Sequence, residues 1–233
     1  MTTSSSRRNV FDGNSILDAI QAVVFDLDGT LIDSVPDLAT AVGRALKDHG
    51  LAAPPEAQVR DWVGNGSRKL LERALTDALE EKPGSELLDS VHQRFLYHYG
   101  QAPAVATRLY PGVKEGLEAL KARGLHLALV TNKPEAFIAP LLEHFGLASF
   151  FGLWLGGDSL SRKKPDPLPL LHAAKHFGVD AETCLMVGDS RHDIEAGQAA
   201  GFRTLAVSYG YNHGEPIAHS QPDLVVESLR QIF

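Results

Sequence analysis

The sequence predicts an α/β fold, a doubly wound parallel sheet of Rossmann-like type with an inserted α-helical cap domain. Three observations lead there. Short apolar runs bounded by turn residues recur at 22–27, 125–130, 184–187, 204–207 and 224–226, and their richness in Val, Leu and Ala suits strands buried on both faces. Amphipathic helical stretches separate the later runs, and strands alternating with helices build a parallel sheet with right-handed crossovers. From Pro36 to about Gly100 the alternation stops and only helical periodicity is present.

Taken in order, residues 1–20 read as a loosely held extension with one short helix near Ile16 and Leu17. Residues 22–27 form the first strand. Then come three apolar stripes at helical spacing. Leu38, Ala41, Val42, Ala45 and Leu46 make the first; Leu70, Leu71, Ala74, Leu75, Ala78 and Leu79 the second. Leu87, Leu88, Val91, Phe95 and Tyr99 make the third, after the Pro83-Gly84 break. With a short helix at 56–63 this gives about four helices, enough for a small bundle. After it, Pro111 opens and Gly124 closes a helix carrying Val113, Leu117 and Leu120. Phe137, Leu141, Leu142 and Phe145 form another that ends at Gly146. The predicted organisation is an extension at 1–20, a core of 21–35 and 101–233, and a helical cap at 36–100. A cap spliced in after the first strand sits over that strand's carboxyl end, where ligands bind in such sheets.

Composition narrows the function. The chain has 233 residues, 44% of them hydrophobic, so it can bury a real core. Its net charge of −7 is spread along the chain, unlike the clustered Lys and Arg of a nucleic-acid surface. Cys184 is the only cysteine, which leaves no disulfide framework or thiolate metal site. No apolar run approaches membrane-span length and the polar first residues lack a secretory signal, so a cytoplasmic protein is expected. Nothing in the sequence fixes its oligomeric state.

Four polar segments fall at or near the carboxyl ends of predicted strands. The first is Asp26-Leu27-Asp28-Gly29-Thr30. Two carboxylates this close resist ionising together unless a cation offsets them, and Mg²⁺ is commonly held by one or two carboxylates plus substrate phosphates. The others are Thr131-Asn132-Lys133, Lys163-Lys164-Pro165-Asp166-Pro167, and Gly188-Asp189-Ser190-Arg191-His192-Asp193. With no cysteine or histidine cluster among them, an all-oxygen donor set selects Mg²⁺ over zinc.

In this order, the four segments resemble the motifs of the haloacid dehalogenase superfamily, in the branch with a helical cap between the first and second motifs. The likeness runs from about Gln21 to Phe233. Within that branch, Trp62-Val63-Gly64-Asn65-Gly66, Val130-Thr131-Asn132-Lys133-Pro134, the Lys-Pro-Asp-Pro run and Tyr209-Gly210-Tyr211 resemble the phosphoglycolate phosphatase family. The resemblance implies a sheet with the first and fourth motifs on adjacent strands and a cofactor Mg²⁺. Asp26 is then the nucleophile, a carboxylate already ionised at neutral pH that attacks phosphorus without a base. Asp28 is the acid/base. Asp26, Asp189 and the backbone carbonyl of Asp28 would hold the metal. Lys164, Thr131 and the amides of Gly29 and Asn132 would meet the phosphoryl oxygens. Asp193, one helical turn after Asp189, would stand behind the metal or Lys164. An aspartate at position 28 also sets the chain apart from dehalogenases and from P-type ATPases.

The expected substrate is a small phosphorylated molecule, with 2-phosphoglycolate first. Sugar-phosphate phosphatase, pyrophosphatase and β-phosphoglucomutase activities stand as alternatives within the superfamily, and a phospho-aspartate signalling module outside it. Gly66, in the turn before a helix that begins with Arg68 and Lys69, offers free amides. Arg68 is the expected carboxylate partner because its fork can be bidentate. His172 and His176 lack the Glu of a zinc-protease motif and are expected to face solvent. His192 is expected at the surface and Cys184 in the core.

Overall fold

The computed structural model describes residues 15–232. Six parallel strands form the main sheet: β1 (Ala22–Phe25), β4 (His126–Val130), β5 (Leu153–Leu155), β6 (Cys184–Gly188), β7 (Arg203–Val207) and β8 (Leu224–Val226). Their order is β5-β4-β1-β6-β7-β8. From β1 the chain winds outward through β4 and β5, then returns to the other side of β1 for β6, β7 and β8. The strands flanking the reversal are β4, β1 and β6, so their carboxyl ends frame a crevice at the topological switch point.

Strand side chains alternate between two apolar layers. Val23 and Phe25 join the cluster formed with α5 (Val113–Ala122) and α6 (Ile138–His144), whereas Ala22 and Val24 face that of α7 (Leu168–Phe177) and α8 (Arg191–Ala200). Ile16, Leu17 and Ile20 are buried in the first of these clusters. The final residues of the expected loose extension therefore belong to the core; residues 1–14 lie outside the described ones. Two short elements escape the sequence pattern. They are β5, only three residues long, and an antiparallel ribbon of β2 (Ile32–Asp33) with β3 (Arg108–Leu109).

That ribbon joins the cap to the core. The cap comprises α1 (Val35–Lys47), α2 (Glu56–Trp62), α3 (Ser67–Leu79) and α4 (Ser85–Gln101), whose stripes pack on one another as a separate apolar cluster. The joint is polar and specific. Buried Asp37 accepts hydrogen bonds from the amides of Ala106 and Thr107 and from the Thr107 hydroxyl at 2.6–3.0 Å, which ties the outgoing chain to the returning one. Tyr211, from a core loop, is buried in the cap cluster. Its hydroxyl accepts from the Ser34 amide and donates to Asp33, which Arg60 of α2 also meets at 3.2 Å.

Candidate active site

Asp26 follows β1 directly and is 7% exposed. Lys164 reaches it from the loop before α7, its Nζ 2.9 Å from Asp26 Oδ1 and 2.6 Å from both Asp193 Oδ1 and the Val130 carbonyl. The Val130 carbonyl and Asp193 each accept an N–H from the ammonium, and Asp26 pairs with it by charge. Asp193 is fully buried, and its other oxygen accepts from the Asp189 and Ser190 amides and the Ser190 hydroxyl. Asp193 therefore orients Lys164 and fixes the turn after β6.

Asp189 stands at that turn, 2% exposed. Its Oδ1 accepts from the Thr30 hydroxyl at 2.7 Å and its Oδ2 from the Tyr211 amide at 2.6 Å. Two glycines let it approach. A Cβ on Gly29, whose φ is +89°, would fall 2.2 Å from Asp189 Oδ2; one on Gly210 would fall 2.3 Å from the Asp189 Cβ. The Gly29 amide itself donates to the Ile32 carbonyl at 2.9 Å. It is thus engaged in the turn, contrary to its expected phosphate contact, and the contribution of Gly29 is room for Asp189.

Asp26, Asp189 and Asp193 each place a carboxylate oxygen within 4.8 Å of the others, with Lys164 the ammonium among them. Three carboxylates and one ammonium leave two negative charges. Burial, opposed by Lys164 and assisted by Asp193, pushes the Asp26 carboxyl up to about 7. Burial, Asp193 and Asp26 push Asp189 well above the usual range. A buried acidic site of this kind could hold a divalent cation, and its all-oxygen donors fit Mg²⁺. Because Asp193 is saturated by its own donors, Asp26 and Asp189 are the side chains with capacity to hold the ion.

A cavity opens between this cluster and the cap. Asp26, Asp28, Thr131 and Asn132 line its core side, and Gly66 and Ser67 its cap side. Asp28 Oδ1 accepts from the Ser34 hydroxyl at 2.6 Å, and both its oxygens lie 3.0–3.1 Å from Lys133 Nζ. Asn132 donates to the carbonyls of Gly64 in the cap and Lys164 in the core, each at 3.0 Å. The cap loop is fixed from further directions. Lys163 donates to the Asn65 carbonyl at 2.7 Å, Asn65 meets His192, and Arg73 donates to Asn65 Oδ1. His192 is therefore a buried partner of the cap loop and not the surface residue expected from sequence.

Arg68 does not reach the cavity. It is about half exposed and pairs with Asp89 at 2.6 Å. At the start of α3 it follows Ser67, which does face the cavity, and one step around a helix points a side chain elsewhere. His172 and His176 are exposed and Cys184 is buried, as expected. Among residues that sequence reasoning left without a role, Ser34, Lys133, Asn65 and Tyr99 all contribute to the site or the loop over it. Lys133 was visible beside Thr131 and Asn132, but only the course of the chain leaving β4 decides which of the three points at Asp28.

The model of the haloacid dehalogenase-like hydrolases matches residues 20–201, a span that holds all four motifs and the cap. This chain is a haloacid dehalogenase-like hydrolase. It is similar to the phosphoglycolate phosphatase of Nitrosococcus oceani, 45% identical over 91% of this chain and 94% of that protein. The phosphoglycolate phosphatase of Escherichia coli is 43% identical over 92% and 91%. A crystal structure from Haemophilus somnus, described as a predicted phosphoglycolate phosphatase, superposes with a TM-score of 0.87 at 40% identity, covering 92% of this chain and 96% of that one. The family and relatives of this identity and coverage indicate a phosphoric monoester hydrolase. Among its described residues, no helix is long and apolar enough to cross a membrane.

Proposed function

We propose that this hydrolase is a Mg²⁺-dependent phosphatase that converts 2-phosphoglycolate to glycolate and phosphate through an aspartyl-phosphate on Asp26. The observation that carries the reading is the pairing at the cavity floor. Asp26 lies against Lys164 at 2.9 Å, and Asp28, two residues on, faces the same cavity with its oxygens held by Ser34 and Lys133. That arrangement favours one carboxylate as the attacking group and the other as the proton carrier. The printed names of relatives 43–45% identical over nearly the whole chain favour 2-phosphoglycolate among small esters.

In the first step an Asp26 oxygen bonds to phosphorus and the ester oxygen departs, taking a proton from Asp28. In the second, Asp28 accepts a proton from the water that attacks phosphorus, and the Asp26–phosphorus bond breaks to release phosphate. Lys164 balances charge on Asp26 throughout, while Thr131 faces the phosphoryl group from the end of β4. Mg²⁺ held by Asp26 and Asp189 would neutralise charge on the phosphoryl oxygens. The cap loop, fastened to Asn132 and Lys163, keeps bulk water from the acyl-phosphate. A panel of phosphate monoesters, assayed with Mg²⁺ and with chelator, tests the proposal. The highest kcat/KM should fall on 2-phosphoglycolate and only with Mg²⁺; a sugar phosphate or pyrophosphate preferred by tenfold would replace the substrate assignment.

A further inference from the structure

The cap side of the cavity poses a problem for an acidic substrate. Leu38, Val63, Leu70 and Phe95, with Phe137 from the core beside them, make its wall largely apolar, and a carboxylate taken into such surroundings loses its water and needs charge and donors in return. Among the described residues that line the cavity, Lys133 is the only cation. Its side chain is 2% exposed, so solvent screens it little.

Two of the three N–H donors on Lys133 suffice for the two Asp28 oxygens at 3.0 and 3.1 Å. The ammonium also lies over the Tyr99 ring, 4.6 Å from its centroid. Tyr99 is 1% exposed and lines the cavity, and its hydroxyl, which the Lys133 ammonium approaches, has no acceptor for its O–H. Folded proteins rarely leave a buried hydroxyl in that state, so such a group calls for a ligand or an ordered water. Stacking on Phe95 at 5.7 Å and an edge contact with Phe137 at 4.9 Å hold the ring in place. Burial pushes the phenol up to about 12, so it stays a donor at neutral pH.

We infer that Lys133 and Tyr99 form the subsite for a carboxylate on the alcohol part of the substrate, which selects short phosphorylated hydroxy acids over uncharged esters. The inference rests on the phosphatase reading of Asp26 and Asp28. If Asp28 protonates the departing oxygen, an ammonium 3.0 Å from Asp28 stands on the leaving-group side. In 2-phosphoglycolate a single carbon separates the ester oxygen from the carboxylate, so the carboxylate falls beside that ammonium. The backbone of Gly66 and Ser67, opening α3 on the same cavity, adds positive potential there.

The test compares kcat/KM for 2-phosphoglycolate with that for ethyl phosphate, which has similar bulk and no carboxylate. Lys133 also holds Asp28, so Lys133→Met slows both esters and the ratio is the informative quantity. Loss of a hydrogen bond to a charged group should lower the ratio about 10-fold in Tyr99→Phe and roughly 30-fold or more in Lys133→Met. Circular dichroism confirms that both variants fold. A ratio within twofold of wild type in Tyr99→Phe, together with an unchanged ratio or no measurable turnover in Lys133→Met, overturns the inference while leaving the phosphatase reading in place. A wild-type enzyme that releases phosphate from neither ester overturns both.

Discussion

Replacing Asp26 by Asn should stabilise the metal-free protein, because the nucleophile is held where its charge is unwelcome. Its carboxyl rises from 3.8 to about 7 through burial and the nearby Asp193, with Lys164 compensating only in part. A raised folded pKa means that between those values the folded chain keeps a proton the unfolded chain has lost. Stability therefore falls as pH rises through that window. About 3 pH units, at about 1.4 kcal/mol each, give a cost on the order of 4 kcal/mol above pH 7. Asp26→Asn does not titrate, so its advantage should be small near pH 4 and approach that figure at pH 8. Relief of Asp189, which Asp26 also pushes upward, acts in the same direction. Urea unfolding in chelator at pH 4.5 and pH 8, on wild type and variant, measures the difference. Mg²⁺ should narrow it at pH 8 by stabilising wild type more than the variant. A variant less stable than wild type at pH 8, or an offset equal at both pH values, would refute the electrostatic argument.

Other outcomes follow from the same geometry. Asp193→Asn turns an amide NH₂ toward either Lys164 or the Asp189 and Ser190 amides, donor against donor, and should cost about 3 kcal/mol in urea stability, with a fall in kcat. Gly29→Ala drives a methyl group to 2.2 Å from Asp189 Oδ2 at a φ of +89°; it should destabilise the fold by about 2 kcal/mol or more and abolish Mg²⁺-dependent turnover, read by thermal melts and phosphate release. Arg68→Ala should leave kcat/KM for 2-phosphoglycolate within about twofold, since a half-exposed ion pair contributes little; a KM raised about tenfold would restore Arg68 as the carboxylate partner.

The core was legible in the sequence because its strands are buried on both faces and write unbroken apolar runs. Their carboxyl ends could then be located, and Asp26, Asp28, Lys164 and Asp189 fall at or beside them. The cap helices were equally plain from the stripes through Leu46, Leu75 and Phe95. Less visible were features set by how the chain turns. β5 spans three residues, too few to show a period, and β2 and β3 pair only across the whole cap. Gly29 was read as a phosphate donor, although its amide closes a turn to Ile32 and its missing side chain is what Asp189 requires. His192 lies on a polar stretch and is buried where Asn65 of the cap and the His213 ring meet it. Arg68, expected at the ligand, and Lys133, given no role, differ from the sequence reading for a similar reason. A cation beside a glycine turn looked directed at the ligand, whereas helix rotation sends it to Asp89, and the chain leaving β4 turns Lys133 inward to Asp28.

The account depends on phosphate becoming esterified to one carboxylate. Acid quenching of the enzyme during turnover of 2-phosphoglycolate, reduction with borohydride and peptide mass mapping report which aspartate carried it. Reduction confined to position 26, lost when substrate or Mg²⁺ is omitted, is the predicted result. Reduction at Asp28 or Asp189 instead, or none under conditions where phosphate is being released, would contradict the mechanism.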